Sequence, residues 1–232
     1  MFLIAAGTAV SQTPRFEVAT VKPADPSKNP GSYGLNTGNG RLLGDNMSLK
    51  RYIMSAYELR PHQVLGGPEW LDTERFDIVG KAEGKSGDGP LQQMLQALLA
   101  ERFKLTFHRE TRMMQAFVLD APHGADKLAR TEGGERKSSH GRGDLTLENS
   151  NMDHLADALS RQLDLPVVNQ TSIDGVFNLK LRWTPENIVN PPAEAPPPIY
   201  TAIQEQLGLR LRSQKAPIEV FVVDRAEKPG EN

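Results

Sequence analysis

The sequence predicts an α+β protein of two similar modules, each with helices packed on one face of a mainly antiparallel sheet. Three observations carry that prediction. Phe103 to Asp120 (FKLTFHRETRMMQAFVLD) and Leu207 to Asp224 (LGLRLRSQKAPIEVFVVD) align at one constant offset, pairing Leu105 with Leu209, Phe107 with Leu211, Phe117 with Phe221, Val118 with Val222 and Asp120 with Asp224. A nearly identical offset pairs Leu42 with Leu145, Asn46 with Asn149, Leu49 with Met152 and Tyr52 with Leu155. Each copy of the first stretch reads as strand and follows an apolar-periodic helix, the combination that places helices on a sheet. The apolar positions agree while the polar ones drift: His108 stands opposite Arg212 and Glu110 opposite Gln214. The repeat therefore concerns core building rather than chemistry.

In chain order, Met1 to Gln12 (MFLIAAGTAVSQ) is an apolar run ending in small residues. It resembles the end of a secretory signal with a cleavage site near Ser11, so 1–12 is expected to be a signal-peptide remnant. It is shorter than the ~20 apolar residues that span a bilayer, and no integral membrane span is expected. Residues 13–39 hold a strand, Arg15 to Lys22, and a long Pro/Gly/Asn-rich loop, Pro23 to Asn39.

The first module covers 40–122. It opens with a short strand at Gly40 to Gly44, then a helix capped by Asn46 or Ser48. That helix presents Leu49, Tyr52, Ile53, Ala56 and Tyr57 on one face and ends before Pro61. A short strand at His62 to Leu65 leads into a turn, Gly66 to Leu71, carrying Trp70. The strand Phe76 to Ala82, a glycine-rich joint and a helix through Leu91, Met94, Leu95, Leu98 and Leu99 follow. Phe103 to Asp120 then reads as two strands joined by a short polar turn.

Residues 123–142 are polar and glycine-rich and read as a linker. The second module, 143–227, repeats the order. It has a strand at Asp144, a helix burying Met152, Leu155, Ala156, Leu159 and Leu163, a short strand Pro166 to Asn169, an Asp174-Gly175 turn and a strand Val176 to Trp183. Asn187 to Pro198 is a proline-rich spacer that no helix or sheet interior accepts. A helix through Ile199, Ala202, Ile203 and Leu207 leads to the second copy of the repeat, and 228–232 is a polar tail.

Composition bounds the function. At 38% hydrophobic and 24% charged over 232 residues, the chain can bury a core. A net charge of −2 and 6% aromatic residues argue against nucleic-acid and anionic-membrane surfaces. The absence of cysteine excludes disulfides, thiolate catalysis and cysteine–zinc sites. The five histidines are scattered and no two fall at metal-ligand spacing, so no metal is expected. No nucleophile elbow, phosphate-binding loop or dinucleotide fingerprint occurs, so no cofactor and no catalytic residue is assigned. His108 shares a strand face with Glu110, and a cross-strand surface contact is preferred there to an acid–base pair. Arg142-Gly143-Asp144 spells an adhesion tripeptide, read as coincidental in a glycine-rich stretch.

Three residues are candidates for ligand or partner binding: Trp70, His62 and Tyr33. Exposed, Trp70 would be a recognition residue; buried, it would plug the sheet, and burial is preferred. The two proline-rich segments, Pro23 to Asn39 and Asn187 to Pro198, are expected either to frame a cleft or simply to be mobile. Local function is expected where the two copies differ: the N-terminal loop, the Trp70 turn and the proline-rich insert.

Four segments carry a family resemblance: FEVATVKPADPS, MSLKRYIMSAYELRPHQVLGGPEWLDTERFDIVGKA, LLAERFKLTFHRETRMMQAFVL and LGLRLRSQKAPIEVFVVDRAEKPGEN. With these the chain resembles the soil-associated family known as domain of unknown function 3738, abundant in acidobacterial genomes. The resemblance runs from Phe16 to Asn232. It implies an export signal but no established activity, substrate or catalytic residue. Some members form the extracytoplasmic end of membrane proteins with a peptidase of the beta-lactam-sensor type. The rhythm of LTLENSNMDHLADALSRQLDLPVVNQTSIDGVFNLKL is also similar to the small strand–helix–strand domains of secretins and TonB-dependent receptors, which bind protein partners.

The resulting expectation is an exported bacterial protein, periplasmic or secreted, acting as a non-catalytic binding or interaction module of the envelope. Its partner would be another envelope protein or a small extracellular ligand, not nucleic acid. One alternative is a hydrolase-like envelope enzyme built from His62, Trp70 and the Pro23 to Asn39 loop. The other is a sensor domain related to those peptidase ectodomains.

Overall fold

A computed structural model describes residues 14–25, 27, 33–84, 86–190 and 192–230. The expected signal remnant lies outside the described residues. The elements in chain order are β1 (Val18–Pro23), β2 (Gly34–Gly38), β3 (Arg41–Ser48), α1 (Leu49–Tyr57), β4 (Val64–Gly66), α2 (Trp70–Thr73), β5 (Arg75–Lys81), α3 (Asp88–Arg102) and β6 (Thr106–Asp120). They continue with β7 (Ala129–Thr131), β8 (Lys137–Gly141), β9 (Asp144–Ser150), α4 (Met152–Leu163), β10 (Val167–Asn169), β11 (Val176–Arg182), α5 (Ile199–Ala202) and β12 (Arg210–Arg225). The chain is α+β, with three mainly antiparallel sheets carrying the helices.

It divides into two compact units, one of 1–110 with 219–232 and the other of 111–218. The boundaries fall inside β6 and β12, so each of these strands has one part in each unit. This corrects the expectation of two strands and a turn. Thr106–Asp120 is one strand of 15 residues and Arg210–Arg225 one of 16. The polar middle of β6, Glu110 to Gln115, contains no glycine, proline or asparagine to reverse the chain. Polarity alone signals an exposed strand as readily as a turn.

In the first unit, the sheet order is β1-β5-β3-β2. The β2–β3 hairpin closes through Asn39 and Gly40, both at positive φ (50° and 72°), the conformation that Asn-Gly favours in two-residue loops. Part of the expected loop is thus strand β2. A bulge in β3 puts Asn46 at φ 50°, and its N–H donates to Asp77 Oδ1 at 2.9 Å. Ser48 caps α1 by accepting from the Arg51 N–H, and Glu58 ends it in the left-handed conformation.

Leu49, Tyr52, Ile53 and Ala56 are buried, the face the spacing predicts. The Tyr52 hydroxyl donates to the Phe76 carbonyl at 3.0 Å, which satisfies that buried polar atom. Leu95, Leu99 and Phe103 from α3 and the residue after it pack in the same cluster. At roughly 1.5–3 kcal/mol for each fully buried large side chain, this cluster dominates the unit's stability.

The second unit has sheet order β7-β11-β9-β8, the same relative order as the first. The equivalent bulge puts Asn149 at φ 50°, its N–H donating to Asn178 Oδ1 at 3.1 Å. Asn151 caps α4 by accepting from the His154 N–H, and Asp164 ends it at φ 52°. Residues 123–142, read as a linker, instead supply β7 and β8. Every residue of Lys137–His140 is exposed, so no alternating apolar signal marks that edge strand. After α5 the helix widens into a π-helical turn, Ile203–Leu207, still burying Ile203 and Leu207.

The short parallel pairings link the units' plans. In the first unit β4 pairs with β12, Val64 opposite Phe221 and Gly66 opposite Val223. In the second, β10 pairs with β6, Val167 opposite Phe117 and Asn169 opposite Leu119. These are the residues the two offsets align. Each short strand is therefore completed by the long strand of the other sequence copy.

Candidate functional site

The three sequence candidates all lie in the first unit. Tyr33 is 54% exposed and carries the Arg51 guanidinium 4.0 Å above its ring. Trp70 begins α2 and is half-buried, edge-on to Phe76 at 6.1 Å with Lys228 Nζ 6.0 Å from its ring. His62 sits in a single 3-10 turn, Pro61–Gln63, half-buried; burial and the Arg60 charge lower its imidazole pKa. None of these contacts joins one of the three to another. His108 meets a partner on the other long strand: its Nδ1 lies 2.8 Å from Asp224 Oδ1, with Glu110 at 3.8 Å from Nε2. Among the described residues no group of three or more His, Asp or Glu is placed to hold a metal ion.

Clefts lie elsewhere. One of about 250 Å3 in the first unit runs between Phe16 and Leu98, and its Arg15 is paired with Glu101 at 3.0 Å. One of about 490 Å3 in the second unit includes Lys127 and Arg210. Lys127 donates to the Glu205 carbonyl at 2.8 Å, and Arg210 is held by both oxygens of Asp120. The principal cations of these two clefts are thus bound internally.

The third cleft, about 510 Å3, lies in the second unit and is built differently. Five pieces of chain converge on it. Phe117 comes from β6 and forms part of the floor with Ile199 and Trp183. Arg142 and Gly143 make the β8–β9 turn. Gln162 to Leu165 form the end of α4 and its cap, held by the Ser160 hydroxyl donating to the Leu165 carbonyl at 2.8 Å. Pro185 to Asn187 open the proline-rich insert, and Tyr200 closes it.

The sequence explains why these pieces stay in place. Gly143 has φ 89°, and a Cβ there would lie 2.6 Å from the Trp183 carbonyl oxygen. Only glycine permits that approach, which the Trp183 N–H uses by donating to the Gly143 carbonyl at 2.9 Å. The far end of the insert is tied to the end of β11: the Thr184 N–H donates to the Pro197 carbonyl at 3.0 Å, and the Thr184 hydroxyl donates to that of Pro196. Proline carbonyls accept without needing a donor in return, so this edge is satisfied. Tyr200 follows directly, 40% exposed, its ring 5.5 Å from Phe117. Burial pushes the Tyr200 phenol pKa up, and the Glu186 carboxylate adds to the shift.

The polar side chains at the rim, Arg142, Gln162, Asp164 and Glu186, form no hydrogen bond or ion pair with another described residue. An aromatic and aliphatic floor beneath uncommitted polar groups, at 300–1,000 Å3 or so, is the make-up of small-molecule sites. Sequence reasoning named the proline-rich insert but gave no site role to Phe117, Arg142, Asp164, Trp183, Glu186 or Tyr200. The available signal was an insert bracketed by Trp183 and Tyr200, two aromatics in a chain that has few.

Fold and cleft together define a two-unit α+β protein with a ligand-sized cleft in its second unit. The chain belongs to the DUF3738 family, described as a protein of unknown function, whose model matches residues 50–226. No curated protein and no solved structure matches it. No helix among the described residues is long and apolar enough to cross a membrane.

Proposed function

We propose that this protein is a non-catalytic binding module of the bacterial envelope, exported to the periplasm or the medium, that holds a small extracellular ligand in the cleft between Arg142, Tyr200 and Glu186. The carrying observation is the uncommitted polar rim over an apolar floor. Export is supported by the signal-like run Met1 to Gln12. A screen of small polar and amphipathic molecules tests the binding role. Ligands of the cleft raise the unfolding midpoint by mass action and perturb the Trp183 indole resonance. Tyr200→Ala removes both effects. If no screened compound touches Trp183, or if Tyr200→Ala leaves every response intact, the reading is wrong.

The two units are further proposed to descend from one duplicated module. Matching sheet orders, bulges at Asn46 and Asn149, and aligned parallel registers support this. A protein partner is a second reading, supported by Tyr33, half-exposed and stacked under Arg51. Tyr33→Ala would weaken capture of that partner and leave cleft ligands unaffected, as read in a pull-down beside the ligand screen.

A further inference from the structure

Resting on the cleft as the ligand site, we infer that its ligand is a small zwitterion with an apolar side chain, an amino acid or dipeptide of the aromatic or branched type. The cleft carries both charge signs, Arg142 against Asp164 and Glu186, and these three do not pair with one another or with any other described residue. Elsewhere on this surface opposite charges find each other: Lys50 with Asp72 at 3.2 Å, Arg109 with Glu219 at 2.6 Å.

The three sit on separate backbone anchors: the glycine turn at Gly143, the left-handed cap of α4 and the start of the tied insert. Cation and carboxylates therefore remain apart. A ligand bearing a carboxylate and an ammonium answers both, the carboxylate at the Arg142 guanidinium and the ammonium at the Asp164 and Glu186 carboxylates.

Between them the floor of Phe117 and Ile199, with the half-exposed Tyr200 ring beside it, takes an apolar side chain. About 510 Å3 accommodates a ligand of this size. Other ligand chemistries fit less well. A phosphate-bearing ligand places its charge near two carboxylates, and an uncharged sugar leaves all three ions unanswered.

Leucyl-phenylalanine, added to the full chain, is the probe. Its N-acetyl, C-amide and doubly capped forms, and maltose, are the comparisons, with affinity read by calorimetry and site by the Trp183 indole resonance. The free dipeptide binds, and each cap weakens it roughly fivefold, the scale of a solvent-accessible ion pair. Arg142→Gln weakens the free dipeptide but not its C-amide. Glu186→Gln combined with Asp164→Asn weakens the free form but not the N-acetyl one. Equal affinity of free and doubly capped dipeptide, or no binding of the free dipeptide, overturns the zwitterion. If a capped peptide, maltose or a screened compound still perturbs Trp183, the cleft stands as a site and only the ligand class falls. If none does, both fall together.

Discussion

Phe221 in the first unit and Phe117 in the second occupy aligned positions, each opposite a valine of a short parallel strand. Their surroundings differ. Phe221 is 1% exposed, stacked on Phe107 at 3.6 Å and flanked by Tyr57 at 4.8 Å. The aligned positions in the second unit hold Leu211 and Ser160 in place of Phe107 and Tyr57. There Phe117 meets Tyr200 from the insert instead, and it lines a cleft. One scaffold thus closes with three rings in one unit and leaves a ligand-sized opening in the other. The second unit loses side-chain volume on the helix whose end forms the cleft wall, and the insert adds rim and ring without filling the space.

The largest effect that separates the two units is truncation of these phenylalanines. Phe221→Ala costs about 3–5 kcal/mol in urea denaturation. Phe117→Ala costs about 1 kcal/mol less, because one aromatic contact is lost rather than two. Equal losses would break the comparison. Next come the hairpin glycines. Gly40→Ala and Gly143→Ala each cost about 1–3 kcal/mol, since positive φ is combined with a carbonyl oxygen 2.2 Å or 2.6 Å from the new Cβ. Gly124→Ala is the control, with positive φ and open space. Its cost by denaturation is smaller, and a cost equal to the others would assign the whole effect to backbone strain.

A smaller effect distinguishes the aligned aspartates. Asp224 faces one imidazole, whereas Asp120 faces Arg212 at 2.6 Å and Arg210 at 3.1 Å. Burial alone would raise the Asp120 carboxyl pKa, but the Arg210 hydrogen bonds and the two guanidinium charges outweigh it and hold it below the usual value. A depressed carboxyl stabilises the fold above its unfolded-state pKa, and that contribution is lost as pH falls through the folded value. Asp120→Asn therefore costs about 1 kcal/mol near neutral pH. Its difference from the parent shrinks as denaturation is repeated below the ordinary carboxylate range. A difference that persists unchanged in acid would remove the ionic explanation. Smallest in stability is Tyr200→Ala, within about 1 kcal/mol for a side chain 40% exposed, although it abolishes cleft binding. A large stability loss there would make Tyr200 a core residue rather than a recognition residue.

The helices and their buried faces were legible because apolar spacing reports burial directly. Leu49, Tyr52, Ile53 and Ala56 in α1, and Met152, Leu155 and Leu159 in α4, are buried as their periods predict. Strands β7 and β8 were not legible. A two-sided, solvent-facing edge such as KSSHG has no apolar face to alternate. The continuity of β6 was hidden because its polar middle has the composition of a turn without the backbone-reversing residues of one. The cleft was hidden for another reason. Its floor uses Phe117, Trp183 and Ile199, residues whose spacing reports core, and only the convergence of five chain segments opens a cavity among them. Trp70, read as more buried than exposed, lies between the two.

The division of each long strand between the two units also governs the order in which the protein is completed. β4, near the start of the chain, finds its parallel partner only at Phe221 to Val223. A chain emerging from its N-terminus has thus displayed β1 to β5 and helices α1, α2 and α3 of the first hydrophobic cluster long before Phe221 and Val223 close that cluster. The second unit needs nothing beyond Ile218. The unit written first is therefore finished last, its apolar surface waiting on a pairing between segments far apart in sequence, the kind that slows folding.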